Sequence, residues 1–202
     1  MKRWFYLALA LLAILLWRDW RARPIEHPPG VLVHESPRQS APATPGSFRL
    51  DEFILERRAD FGVRARVLSR EPYYLGMESD LSPVDLALGW GAMSDQAVLD
   101  RIDIRQGSRW YYTRYELPAP IPDGDIIRSS SNMHIIPAND LVRRTLKRVR
   151  AGQVINALGS LVDVDADGDS GFRWRTSMRR DDTGNGSCEI FYVEQLIIEG
   201  PS

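Results

Sequence analysis

Alternation of apolar and polar residues marks two stretches of the chain as strands half-buried on one face. Phe61, Val63, Ala65 and Val67 alternate with Gly62, Arg64 and Arg66, and Phe172, Trp174, Thr176 and Met178 alternate with Arg173, Arg175, Ser177 and Arg179. The run Trp110–Tyr115 is rich in strand-favouring aromatics, and Cys188–Ile198 is a long apolar run that suits a central strand. The period changes where Leu141, Val142, Leu146 and Val149 recur at helical spacing, opposite Arg143, Arg144, Lys147 and Arg148. Pro137 suits the first turn of that helix, Asp140 complements its positive end, and Gly152 closes it. Gln153–Asp165 then reads as a strand that bends or bulges at Gly159. A second helix is expected from Ser82, with Pro83 in its first turn, towards Leu88.

These elements predict a mainly β, α+β domain with one or two helices over residues 48–202. The order of strands, then helix, then bent strand and final strand matches a small OB-like β-barrel, in which a helix lies between the third and fourth strands. Another small barrel or an α+β sandwich gives a similar order.

The N-terminus has a different pattern. Trp4–Trp17 is unbroken apolar sequence between Lys2-Arg3 and Arg18, Arg21, with Trp4, Trp17 and Trp20 at its ends. Because Ala22 is the only small residue nearby, cleavage as a signal peptide is disfavoured, and residues 1–20 are expected to form a single N-terminal transmembrane anchor. The short leader would stay in the cytoplasm, giving a single-pass protein of the inner (cytoplasmic) membrane with a periplasmic domain. Residues 21–47 hold six of the thirteen prolines and read as a linker.

Composition narrows the classes. The 202 residues are 44% apolar and 26% charged, with net charge −1 and one cysteine. That excludes a disulfide scaffold, a disordered chain and a multi-span membrane protein. A pI near 6.3 argues against a dedicated nucleic-acid binder.

Candidate chemistry is sparse. Asp163, Asp165, Asp167 and Gly168 open like a calcium loop, but the twelfth position is Trp174 instead of Glu, so an acidic turn is expected and no metal site. His27 and His34 fall in the proline-rich stretch and lack a third ligand. His134 and Cys188 are the pair with catalytic potential, because a thiolate beside a histidine is an activated nucleophile. Nearby, Arg179 and Arg180 offer anion binding, and Trp110 and Trp174 offer stacking surfaces. No hydrolase elbow, phosphate loop or zinc motif is present, and no cofactor is implied.

At Ser131–Ala138, at Asp182–Glu189 and at Ser82–Asp95 the chain resembles a group of bacterial proteins of unknown activity, built as an N-terminal hydrophobic segment followed by one domain. The resemblance implies a plan, and it directs attention to His134, Asp182 and Cys188 within its motifs; Asn132, next but one to His134, is a candidate binding residue. The expectation is therefore a membrane-anchored, extracytoplasmic binding module that recognises an envelope protein or polymer and no nucleic acid. The alternative is an envelope hydrolase or transferase using Cys188 and His134.

Overall fold

The computed structural model describes residues 4, 6, 7, 9, 11–15, 23–167, 171–184 and 186–200. Its strands are β1 (Arg38–Ser40), β2 (Gly46–Leu50), β3 (Phe53–Pro72), β4 (Val84–Gly89), β5 (Ile102–Gly107), β6 (Trp110–Tyr115), β7 (Ser130–Pro137), β8 (Val154–Ala166), β9 (Arg173–Trp174) and β10 (Glu189–Ile198). The short helices are α1 (Met77–Leu81), α2 (Gln96–Leu99), α3 (Asp123–Arg128) and α4 (Asp140–Leu146). The chain is thus mainly β with short helices, an α+β arrangement.

β3 organises the rest. Phe53 to Arg66 pair antiparallel with β8, from Ala166 back to Val154, and Arg66 to Pro72 pair with β4 on the opposite edge. β4 pairs antiparallel with β7, β7 parallel with β10, and β10 antiparallel with β8. The pairings β3-β4-β7-β10-β8 therefore return to β3. β1 and β2 line the β4 edge of β3, β9 extends β8, and β5 and β6 form a separate hairpin.

Strand alternation sorts side chains into two main cores. Phe61, Val63, Ala65, Val67, Leu86, Leu88, Met133, Ile135, Leu161, Phe191 and Val193 pack together, with Val142, Leu146 and Val149 from α4 and the turn after it. Phe53, Leu55, Leu81, Ile136, Val162, Val164 and Ile190 form a second core. A small third cluster of Met93, Ile102 and Ile126 involves the β5–β6 hairpin. α4 is started by Asn139, whose side chain accepts from the Val142 amide at 3.0 Å.

Several expectations are corrected. The helix expected from Ser82 to Leu88 is β4, and all six residues of that strand are buried. A strand covered on both faces loses the alternation that would distinguish it from a buried helix. Strand pairing in 172–178 is confined to Arg173 and Trp174.

The single-pass anchor and the inner-membrane placement are overturned, because among the described residues no helix is long and apolar enough to cross a membrane. Helical structure is described at Trp4, Tyr6, Leu7, Leu9 and Leu11–Leu15, and the Trp17–Arg21 flank lies outside the described residues.

The proline-rich stretch is packed against the domain where it is described. The Ile25 amide bonds Ala151 O at 2.9 Å, His27 Nε2 lies 2.7 Å from Gly152 O, Val33 is fully buried, and β1 and β2 follow. Gly152, at φ +88°, permits this: a Cβ there would lie 2.0 Å from Ile25 O. Proline withholds amide donors, but it does not prevent a segment from docking through its apolar residues and remaining amides.

Candidate functional site

The β4–β7 register sets Asp85 opposite His134, and β7–β10 sets Met133 beside Glu189. Met133 and Ile135 enter the main core, so Asn132 and His134 point from the other face of β7. Cys188 immediately precedes β10. The turn of the β5–β6 hairpin brings Arg109 to the same place.

That turn is strained. Ser108 and Arg109, the two residues between β5 and β6, have φ of 52° and 67°. A two-residue hairpin turn of this hand normally uses Asn and Gly, because a Cβ disfavours the left-handed region. What holds it is the Arg109 side chain, which stacks 3.9 Å from the centroid of the Tyr73 ring. Its Nη1 donates to Asp85 Oδ1 at 2.7 Å and to Ser82 O at 2.9 Å. Its backbone amide donates to the Tyr73 hydroxyl at 2.8 Å.

Asp85 is fully buried and serves two partners. His134 Nδ1 lies 2.9 Å from Asp85 Oδ1, off the hydrogen-bonding direction, and the ring packs 4.5 Å from Trp174 between centroids. Among the described residues four buried polar atoms of this neighbourhood have no hydrogen-bond partner: Ser82 Oγ, Asp85 Oδ2, Gln106 Oε1 and His134 Nδ1. Such atoms carry a desolvation cost, so their clustering is informative. Asn132, by contrast, is well engaged. Its Oδ1 accepts from Gln106 at 2.6 Å, and its Nδ2 donates to Arg109 O at 3.1 Å and approaches Cys188 Sγ at 3.6 Å.

Two cavities adjoin this cluster and share Trp110, Gly184 and Cys188. The smaller, about 180 Å³, also has Thr113, Asn132, Asp182 and Thr183 in its walls. The larger, about 330 Å³, has Arg109, His134, Arg173, Trp174 and Arg175.

The structure thus gathers Cys188, His134, Trp110 and Trp174 around one cavity, and Cys188, Asn132 and Asp182 around its neighbour. Among the described residues no hydrogen bond joins Cys188 to His134. Burial pushes the Cys188 thiol up to about 11, and the nearby carboxylates Glu189, Asp85 and Asp182 add to the shift. The carboxylate beside His134 is Asp85, whereas Asp182 accepts from Ser177 Oγ at 2.6 Å. Arg179 turns to Asp181 at the exposed surface and lines neither cavity.

Arg180 reaches the other side of β10. There it pairs with Glu189, which is 1% exposed, and Nη2 donates to Gln39 Oε1 at 3.0 Å. Ser131 Oγ donates to the same carboxylate. Desolvation outweighs these partners and raises the Glu189 carboxyl to about 7.

Asp85, Ser82, Arg109 and Glu189 were not anticipated as site residues. For Asp85 a signal existed: it is the one charged residue in the apolar run Val84–Leu88. Among the described residues no group of three metal-ligating side chains occurs. The acidic turn is engaged instead by arginines, Asp163 by Arg58, Asp165 by Arg175 and Asp167 by Arg49. Comparison with protein-family models, with curated proteins and with solved structures gave no match.

Proposed function

We propose that this chain is a ligand-binding module, with its site in the paired cavities between the β5–β6 hairpin, β9 and the segment leading into β10. The fold reading that supports this is an OB-like barrel. β3, β4, β7, β8 and β10 serve as strands one to five, α4 lies between the third and fourth, and the third runs parallel to the fifth. On that reading Asp85 and His134 sit on strands two and three, whose outer face is the binding face of such barrels.

The observation that carries the proposal is the pair of adjoining cavities that meet at Trp110, Gly184 and Cys188, with His134, whose Nδ1 has no hydrogen-bond partner among the described residues, in the wall of the larger. Concave sites with a few polar groups in their walls are where small ligands bind. The raised Cys188 thiol favours binding over nucleophilic catalysis, since the protonated thiol is a poor nucleophile.

Thermal unfolding of the full chain against a panel of sugars, sugar acids, nucleotides, carboxylates and short peptides tests the proposal. At least one compound is expected to raise Tm in the wild type and not in Trp110→Ala, a substitution at a partly exposed position. A panel that leaves Tm unchanged throughout overturns it.

A further inference from the structure

The two cavities differ in chemistry. The smaller has an apolar side of Tyr111, Ile126 and Ile127 and a polar side of hydroxyls, an amide and one carboxylate: Thr113, Thr183, Asn132 and Asp182. Asp182 uses Oδ2 for Ser177, and among the described residues Oδ1 takes no other hydrogen bond. The larger cavity is aromatic and cationic, and its charge can be followed group by group. Arg109 is neutralised by Asp85. Arg173 and Arg175 share the single carboxylate of Asp165, at 3.8 Å and 2.6 Å. Among the described residues the lining arginines and their ion-pair partners therefore leave one positive charge, on the Arg173 side, where the side chain is 77% exposed.

One net charge suits a monoanion, and a carboxylate matches the planar guanidinium in two parallel bonds. Trp110, shared by both cavities, offers a flat apolar face between the two lobes, whereas the Trp174 ring already packs against the His134 ring at 4.5 Å and the Arg109 guanidinium at 5.6 Å. Each cavity lies below or near the lower limit of about 300 Å³ typical of ligand pockets, so one ligand spanning both fits better than two separate ones.

Resting on the reading of these cavities as the binding site, we infer that the ligand is an acidic sugar. Its ring lies against Trp110, its hydroxyls face Asp182, Thr183 and Thr113, and its carboxylate faces Arg173 and Arg175. His134, 3% exposed and packed on Trp174, stands in the wall of the larger cavity. A nucleotide fits less well, because its phosphate brings up to two negative charges to a lobe with one positive charge, and Asp182 repels it from the other.

Tryptophan fluorescence titrations of the full chain with galacturonic acid, trigalacturonic acid, galactose and adenosine monophosphate, at low and at physiological salt, test this. The uronates are expected to bind, with galactose and adenosine monophosphate each weaker by about tenfold. Arg173→Ala is expected to erase the preference for uronate over galactose at unchanged Tm. Tighter binding of the trimer identifies a polysaccharide as the source of the sugar acid, and equal binding identifies the free monosaccharide.

Galactose binding as tightly as galacturonate, or the nucleotide binding tightest, overturns the ligand class and leaves the binding module standing. Absence of binding by all four overturns the ligand class. The module itself then falls only if the wider thermal panel is also silent.

Discussion

Glu189 gives the sharpest test of the buried electrostatics. Its carboxyl is 1% exposed, and burial raises it from 4.5 to about 7 in spite of Arg180 and Ser131. A carboxyl held above its unfolded value binds protons more tightly in the native state. Its contribution to stability is therefore complete below the unfolded value and lost as pH rises through 7. At 1.36 kcal/mol per unit the whole effect is about 3 kcal/mol, of which about 2–3 kcal/mol falls between pH 5 and pH 8.

The Cys188 and Tyr111 groups, pushed up to about 11 and about 12, titrate above that window, and the lowered Asp181 titrates below it. Urea unfolding of the full chain is the assay. With m of about 2 kcal/mol/M, the wild-type midpoint is expected to fall by roughly 1 M from pH 5 to pH 8. Glu189→Gln keeps an oxygen to accept from Ser131 and Arg180 but cannot ionise, so its midpoint is expected to stay level across that range. A wild-type midpoint that does not move, or a decline that persists in Glu189→Gln, refutes the reasoning.

Other outcomes follow from the same contacts. Cys188 is expected to react with iodoacetamide only slowly at pH 7.5 and to accelerate above pH 9, with a profile unchanged in His134→Ala; fast reaction at neutral pH that depends on His134 would revive the enzyme reading. Arg109→Ala is expected to cost about 3–5 kcal/mol in urea unfolding, because it strands the buried Asp85 carboxylate and removes the anchor of a strained turn. Arg109→Lys should recover only part of this, since an ammonium cannot reach Asp85, Ser82 and Ser79 together. Gly152→Ala is expected to cost more than about 1 kcal/mol and to speed proteolysis within 23–37, because the new Cβ would collide with Ile25 O.

The fold was legible where one physical signal dominated. Phe61–Val67 and Leu141–Leu146 show a period and Trp110–Tyr115 a run of strand-favouring aromatics, and each forms the expected element, although Pro137 ends β7 instead of opening the helix, which stops at Leu146, short of Gly152. β4 was illegible because its two faces are both covered, so alternation disappears. The docking of 23–37 was illegible because backbone amides and single apolar residues such as Val33 carry it, and these leave no period.

At the site, the local motifs indicated His134, Cys188 and Asn132 but not the carboxylate beside His134. Asp182 stands close in sequence to Cys188, whereas Asp85 reaches His134 only through strand register. Arg109 was hidden for a related reason. Its role depends on a left-handed turn that the sequence Gly-Ser-Arg-Trp does not advertise.

The division of β3 between two partners also orders events on the ribosome. Its C-terminal end finds β4 within about twenty residues, whereas its N-terminal two-thirds must wait for β8, about a hundred residues later. At roughly 5–20 residues per second, that edge stays open for several seconds of synthesis, a long strand without a neighbour on one side. Arg57, Arg58, Arg64 and Arg66 punctuate this same edge-exposed stretch. Their charges oppose pairing between nascent copies until Val154–Ala166 emerges and the circuit closes.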